Sequence, residues 1–254
     1  MASSQDDVYR CLAAHLDRLP GGFPPSTTGA ERPLLQRLFT AEEAALAVHL
    51  TLERETADQI AQRAGMAVSQ AAERLEGMAH KGLIFSARTP DGQTGYQAVP
   101  FVVGVYEFQV GRLSPGLLRD LGAYWSSQQP RQPQGVPQMR TIPVRQRVDA
   151  PLEALPYEQI DEVLRRHVRY AVAPCICRRQ AHLLGRGCDA PAEACLLFDE
   201  WAEFYVTHNE GRYGSLDEVR HIVEMADRAN LVLQPSNCQQ AAFICCCCAC
   251  CCGV

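Results

Sequence analysis

The residues in this sequence best suited to chemistry are cysteines, and they are unevenly placed. Of 13 in the 254-residue chain, only Cys11 precedes residue 170. Cys175, Cys177, Cys188 and Cys195 stand in the spacing C-x-C-x10-C-x6-C within "APCICRRQAHLLGRGCDAPAEAC". Pro174, Gly185 and Gly187 beside them allow the sharp turns that four thiolates around one centre require. Seven of the eight residues from Cys245 to Cys252 are cysteine, in "FICCCCACCC". There Cys245, Cys248 and Cys251 make C-x2-C-x2-C, the spacing in which a loop wraps a four-iron cubane. Cys247 and Cys250 make a second C-x2-C in an offset register. Cys246 and Cys252 are left for bridging, for a neighbouring cluster or for none, and the role of Cys238 is open. Adjacent cysteines point in different directions, so the seven cannot all serve one cluster.

Zinc also accepts four thiolates, so their number alone does not choose the metal. Arg178, Arg179 and Arg186 crowd the first motif, and guanidinium groups stabilise the net negative charge of a thiolate-bound iron-sulfur cluster. The expectation is that Cys175, Cys177, Cys188, Cys195, Cys245, Cys247, Cys248, Cys250 and Cys251 bind one or two clusters of the 4Fe-4S type. His182 is an alternative ligand. Vicinal disulfides are strained, and 13 is an odd number that cannot pair completely. S-palmitoylation of the tail lacks a basic or amphipathic flank.

Helices must position these thiols. Leu155-Pro156 opens one from Tyr157, with Ile160, Leu164, Val168 and Ala171 on one face. A second is expected from Ala192 to about His208, carrying Cys195, Phe198, Trp201 and Tyr205, and a third follows the capping box Ser215 to Glu218. "LVL" at Leu231 to Leu233 returns the chain in extended form.

The first half reads differently. Thr40 to Glu43 is a capping box leading Ala41, Ala45, Val48 and Leu52; Thr56 to Gln59 repeats it, leading Ile60 and Ala64 into a turn at Gly65. A third helix runs from about Val68, with Ala71, Leu75 and Met78 inward, and stops near Lys81-Gly82. "LIFSARTPDGQTGYQAV" follows as a hairpin around Pro90-Asp91-Gly92. That order predicts a winged helix. "GLLRDLGAYW", Gly116 to Trp125, is an amphipathic helix, and the Gln/Pro-rich stretch from Ser126 to Gln138 is a linker. The expected fold is α+β and predominantly helical. It comprises an N-terminal segment and winged-helix domain (1–110), a helix and Pro/Gln-rich linker (111–150), and a mostly α Cys-rich iron-sulfur domain (151–254).

Charge restricts the functions available. The formal charge of −5 and pI near 5.8 give no general pull toward nucleic acid. From Val68 to Lys81 the charges of Glu73, Arg74, Glu76 and Lys81 nearly cancel, and the flanks add only Arg63 and Arg88. Phosphate contacts need more cations than that, which disfavours DNA as a partner. No run of about 18 to 20 apolar residues predicts a membrane span. "MASSQDDVYR" has acidic residues where a secretory signal carries positive charge, so the protein is expected in the cytoplasm, where thiols stay reduced.

Several stretches together resemble a family of prokaryotic 4Fe-4S ferredoxin-like proteins with an N-terminal winged-helix region and a Cys-rich region. They are "LPGGFPPSTTGAERPLLQRLFTAEEA", "MAHKGLI", "ALPYEQI", "APCICRRQAHLLGRGCDAP" and "FICCCCACCC", spread over nearly the whole chain. The resemblance implies iron-sulfur binding and electron transfer with no defined substrate. It also implies a further ferredoxin domain, to which nothing in residues 1–254 corresponds, and a polar residue such as Asn where this chain has Cys246. The leading expectation is an iron-sulfur electron-transfer protein working with a redox partner protein, more a component than a stand-alone enzyme. The alternatives are a winged-helix transcriptional regulator sensing redox state, oxygen or iron, and an enzyme with an open iron site.

Overall fold

The computed structural model describes residues 4–128, 137–142 and 160–253. The chain folds as two compact units, Met1–Val136 and Pro137–Val254.

In the first unit, helices α1 (Ser4–Asp17), α2 (Glu31–Leu38) and α3 (Ala41–Ala47) precede a two-residue strand β1 (Glu55–Thr56). Helices α4 (Ala57–Ala64) and α5 (Val68–His80), strands β2 (Phe85–Arg88) and β3 (Thr94–Gln97), and helix α6 (Pro115–Ser127) follow. The α3 capping box is formed: Glu43 N donates to Thr40 Oγ1 at 3.2 Å and Thr40 N to Glu43 Oε2 at 2.8 Å. Buried Glu43 also accepts from Lys81 Nζ at 2.7 Å, so one carboxylate ties the start of α3 to the end of α5. Helix α3 stops at Ala47, before Leu52, which is exposed. Gly82 has φ +70 just past α5, where a Cβ would lie 2.7 Å from that of Phe108, so glycine alone fits this close turn. Leu34, Leu75 and Phe85 lie in an apolar interior. Burial of side chains of this kind contributes about 1.5–3 kcal/mol each. Phe23 stacks on Tyr124 of α6, with ring centroids 4.5 Å apart.

The second unit is built on a five-stranded antiparallel sheet in the order β6-β4-β5-β8-β7. Its elements are α7 (Ile160–Arg165), β4 (Tyr170–Pro174), α8 (Ile176–Leu183), β5 (Glu193–Phe198), α9 (Asp199–Thr207), β6 (Arg212–Gly214), α10 (Leu216–Arg228), β7 (Val232–Pro235) and β8 (Phe243–Cys247). One sheet face, with Val172, Leu196, Ile244 and Cys246, packs on Val219, Ile222 and Val223 of amphipathic α10. Trp201 of α9 touches Phe243, whose place in the strand alternates with that of Ile244, so α9 belongs to the other face. Asp199 opens α9 at φ +50 and accepts from the amides of Val168 and Arg169, while His167 Nδ1 lies 2.7 Å from its other oxygen. One carboxylate thus joins the turn before β4 to α9.

The structure corrects the expected fold class. Of the described residues 47% are helical and 17% extended, with two antiparallel sheets, so the chain is a mixed α/β protein and not predominantly helical. The Cys-rich region is a sheet flanked by helices rather than mostly α. The helix expected from Tyr157 ends at Arg165, with 155–159 outside the described residues, and Ala171 lies in β4. Tyr170 Oη closes that turn by donating to the carbonyls of Leu164 and His167. The helix expected from Ala192 is strand β5 as far as Phe198, because "ACLLF" finds strand partners on both sides. A winged helix is not established either. Helices α3–α5 and the hairpin keep their expected order, but α3 packs on α1 and α2 on α6, within one larger unit.

Candidate metal centre

The antiparallel register explains why cysteines far apart in sequence meet. Strands β4 and β8 end, and β5 and β7 begin, at the same edge of the sheet. Beyond Pro174, β4 runs into Cys175, the N-cap of α8; beyond Cys247, β8 runs into the turn that holds Cys248 to Cys251. Alternation along β8 sends Cys246 into the α10-facing core, where it is 1% exposed, and Cys245 and Cys247 to the other face. Cys195 is the cross-strand partner of Cys245.

Four thiols form a compact group: the sulfurs of Cys188, Cys248, Cys250 and Cys251 all lie within 4.8 Å of one another and can hold a metal ion. Neighbouring Sγ separations are 3.8 Å for Cys188–Cys248, 3.6 Å for Cys188–Cys251 and 3.8 Å for Cys250–Cys251. Four thiolates around one tetrahedral ion, with metal–sulfur bonds of about 2.3 Å, stand about 3.8 Å apart. Gly185, at φ +71, closes α8 and redirects the chain toward Cys188, while Gly187 lies against the His182 ring, 2.4–2.6 Å from where its Cβ would stand. His182 is not in the group.

Five further cysteines lie outside this group: Cys175 and Cys177 at the start of α8, Cys245 and Cys247 in β8, and Cys252 beyond it. Of the expected C-x2-C-x2-C ligands, Cys248 and Cys251 meet Cys188, whereas Cys245, in β8, is not in this group. Of the upstream motif, only Cys188 is in the compact group; Cys175, Cys177 and Cys195 are not, and Cys195 faces Cys245 across the ladder.

Arg178 is fully buried, whereas Arg179 and Arg186 are exposed. Its guanidinium donates to the Pro191 carbonyl at 2.7 Å and to the Cys246 carbonyl. Its Nε has no partner. The thiols respond to one another and to this cation. A hydrogen bond from Cys177 brings Cys175 down to about 6, against the effect of burial and with help from the Arg178 and Cys177 amides and the Arg178 charge. Burial raises Cys248, but Cys250, the Cys251 amide, Arg178 and Cys188 outweigh it and leave it near 7. Cys177 and Cys247 are pushed well up, first by Cys175 and Cys245 respectively, then by Cys252 and burial. Burial pushes Cys246 to about 12. The arrangement thus supplies sulfur donors already partly ionised near neutral pH, as a soft metal requires.

Among the described residues, no helix is long and apolar enough to cross a membrane. No family model, curated protein or solved structure matches this chain, and what the site can do is read from its thiols alone.

Proposed function

We propose that this protein binds an iron-sulfur cluster through the Cys188 group and neighbouring thiols, and exchanges electrons with a redox partner protein in a reducing, cytoplasmic setting. The observation that carries this reading is the meeting of the Cys188, Cys248, Cys250 and Cys251 thiols near a buried arginine, with five further cysteines in β8, in its tail and at the start of α8. Four thiolates saturate one zinc ion, and a single structural zinc gives the other five no role. An all-sulfur donor set fits iron-sulfur chemistry. Bound there, a cluster would supply reversible one-electron transfer.

The chain's own groups serve that role in distinct ways. Cys188, Cys248, Cys250 and Cys251 hold the metal. Arg178 offsets the negative charge of bound thiolates, and so favours the reduced state. Cys250 is exposed, which brings the compact group to the surface, where a partner can approach. The resemblance to ferredoxin-like proteins points the same way.

A second reading, a single structural zinc, is favoured by the 3.6–3.8 Å sulfur spacing of the compact group. Anaerobic purification followed by iron, zinc and acid-labile sulfide analysis, with electron paramagnetic resonance of the reduced protein, separates the two. Iron and sulfide in near-equal amounts and a reducible cluster signal are expected. Zinc without sulfide would overturn the first reading in favour of the second.

A further inference from the structure

We propose that Arg178 is a positioning residue for the thiol group: its guanidinium clamps together the two chain segments that carry Cys188 and Cys248 to Cys251, so that the four sulfurs are gathered before a metal arrives. The inference rests on the reading of that group as a metal site, and it holds whichever metal is native. One nitrogen of the buried side chain, Nη1, donates to the Pro191 carbonyl at 2.7 Å, and the other, Nη2, donates to the Cys246 carbonyl. Pro191 stands three residues after Cys188, and Cys246 two residues before Cys248. A single planar group thus joins the segment that supplies one sulfur to the segment that supplies the other three.

The clamp acts where each segment leaves its regular element. Before Cys188 the chain is held by the Arg186 amide, which donates to Ala181 O at 2.9 Å; after it, the Cys175 amide donates to Ala192 O at 2.8 Å, next to the bond from Arg178 to Pro191. Cys188 therefore lies in a short loop tied at both ends to α8 and its N-cap. On the other side, the ladder between β5 and β8 ends at the pair Cys195 and Cys245, and the carbonyl of the following residue, Cys246, goes to Arg178. The turn beyond is closed by the Cys252 amide, which donates to Cys248 O at 3.2 Å, so holding its entry holds its sulfurs. Arginine suits this task and little else here. A buried cation is costly unless it is paired, yet among the described residues Arg178 has no carboxylate partner, and its Nε has no acceptor. Its rigid fork fixes the separation of two carbonyls, which a lysine ammonium on a flexible stem does not. Ligands gathered in advance spare metal binding the cost of ordering them.

Cobalt(II) is the probe, titrated under anaerobic conditions into the reduced, metal-free full chain and followed by thiolate-to-cobalt charge-transfer absorbance. R178K keeps the charge but loses the fork, and should bind cobalt about 10- to 100-fold more weakly, the loss typical of groups that orient metal ligands. At saturation its spectrum should match that of wild type, because the same four sulfurs bind. Wild-type affinity in R178K would show that charge alone matters, and a saturated spectrum with fewer thiolates that the site has collapsed; either overturns the clamp. A second measurement needs neither metal nor variant. Dibromobimane joins two neighbouring thiols, each thiolate sulfur displacing one bromide, and the products are read by mass spectrometry. In metal-free wild-type protein most of the label on Cys188 should be a bridge to Cys248, Cys250 or Cys251. Cys188 labelled singly, as exposed Cys11 must be, overturns the proposal. Failure of the metal reading is recognised separately: wild-type protein would then take up no cobalt while the bridge still forms.

Discussion

The two units reach stability by different means. In the first, adjacent stretches of sequence specify adjacent elements: the box at Thr40 starts α3, Gly65 and Gly82 end α4 and α5, and β2 pairs with β3 across a short turn. Its interior is mostly apolar, with Glu43 and Gln109 among its buried polar residues, and the one cysteine there, Cys11, is exposed. The second unit pairs strands drawn from 170–174, 193–198 and 243–247 and crowds sulfur, with one buried arginine, along a single sheet edge. An apolar core is complete when the chain has folded. A gathering of four thiols leaves a place where a metal ion could be held.

That contrast is exposed to three tests. The strongest is removal of metal by anaerobic chelation, with Trp125 reporting the first unit and Trp201 the second. The Trp201 transition should lose several kcal/mol, since metal-binding energy is folding energy in such sites, while the Trp125 transition stays in place. If both move together, the units are not independent in stability and the contrast fails. Next, Leu75→Ala deletes a fully buried side chain of α5 and should cost about 3 kcal/mol in denaturant unfolding followed at Trp125, with metal content unchanged. Loss of metal in that variant would show that the thiol edge depends on the first unit.

The smallest effect concerns Asp199, whose carboxyl sits below the usual range. Burial raises it, but His167 and the amides of Val168 and Arg169 outweigh burial. A carboxyl depressed on folding contributes stability that is fully present above its ordinary value near 4 and is lost as pH falls through the folded value. Asp199→Asn, which tolerates the positive φ, should therefore cost about 1 kcal/mol at pH 7 and less as pH falls below 4. A penalty that does not change with pH would mean that Asp199 acts by shape alone.

Much of the first unit was legible because its signals are local. Capping boxes and glycine stops are read within four residues, and they placed α4, α5 and the hairpin close to where they lie. Strands β4, β5 and β8 were not legible, because "YAVAP", "EACLLF" and "FICCC" become strands through partners as many as 50 residues away. Short apolar runs rich in Ala, Leu and Cys fit either period until those partners are known. At the site, the sequence singled out the cysteines, but not that Cys188 meets Cys248, Cys250 and Cys251, nor that Arg178 alone of the three arginines is buried. A signal for the division was present in the tail itself: Ile244 and Cys246 alternate with Cys245 and Cys247, a strand pattern that separates the first three cysteines of the run from those of the turn.

Strand β8 is also the last element of the sheet to be made, yet it lies between β5 and β7 and not at a rim. The assembly of the second unit is therefore slow in a specific sense. Until residue 247 has been synthesised, β5 and β7 keep open edges, and their closure joins segments about 50 residues apart, a non-local step of the kind that slows folding. During that interval Cys188 exists without the tail sulfurs it meets, so the compact thiol group is not complete. Strand insertion and assembly of that group thus become a single late event, and the same stretch that closes the sheet also brings three of the four sulfurs.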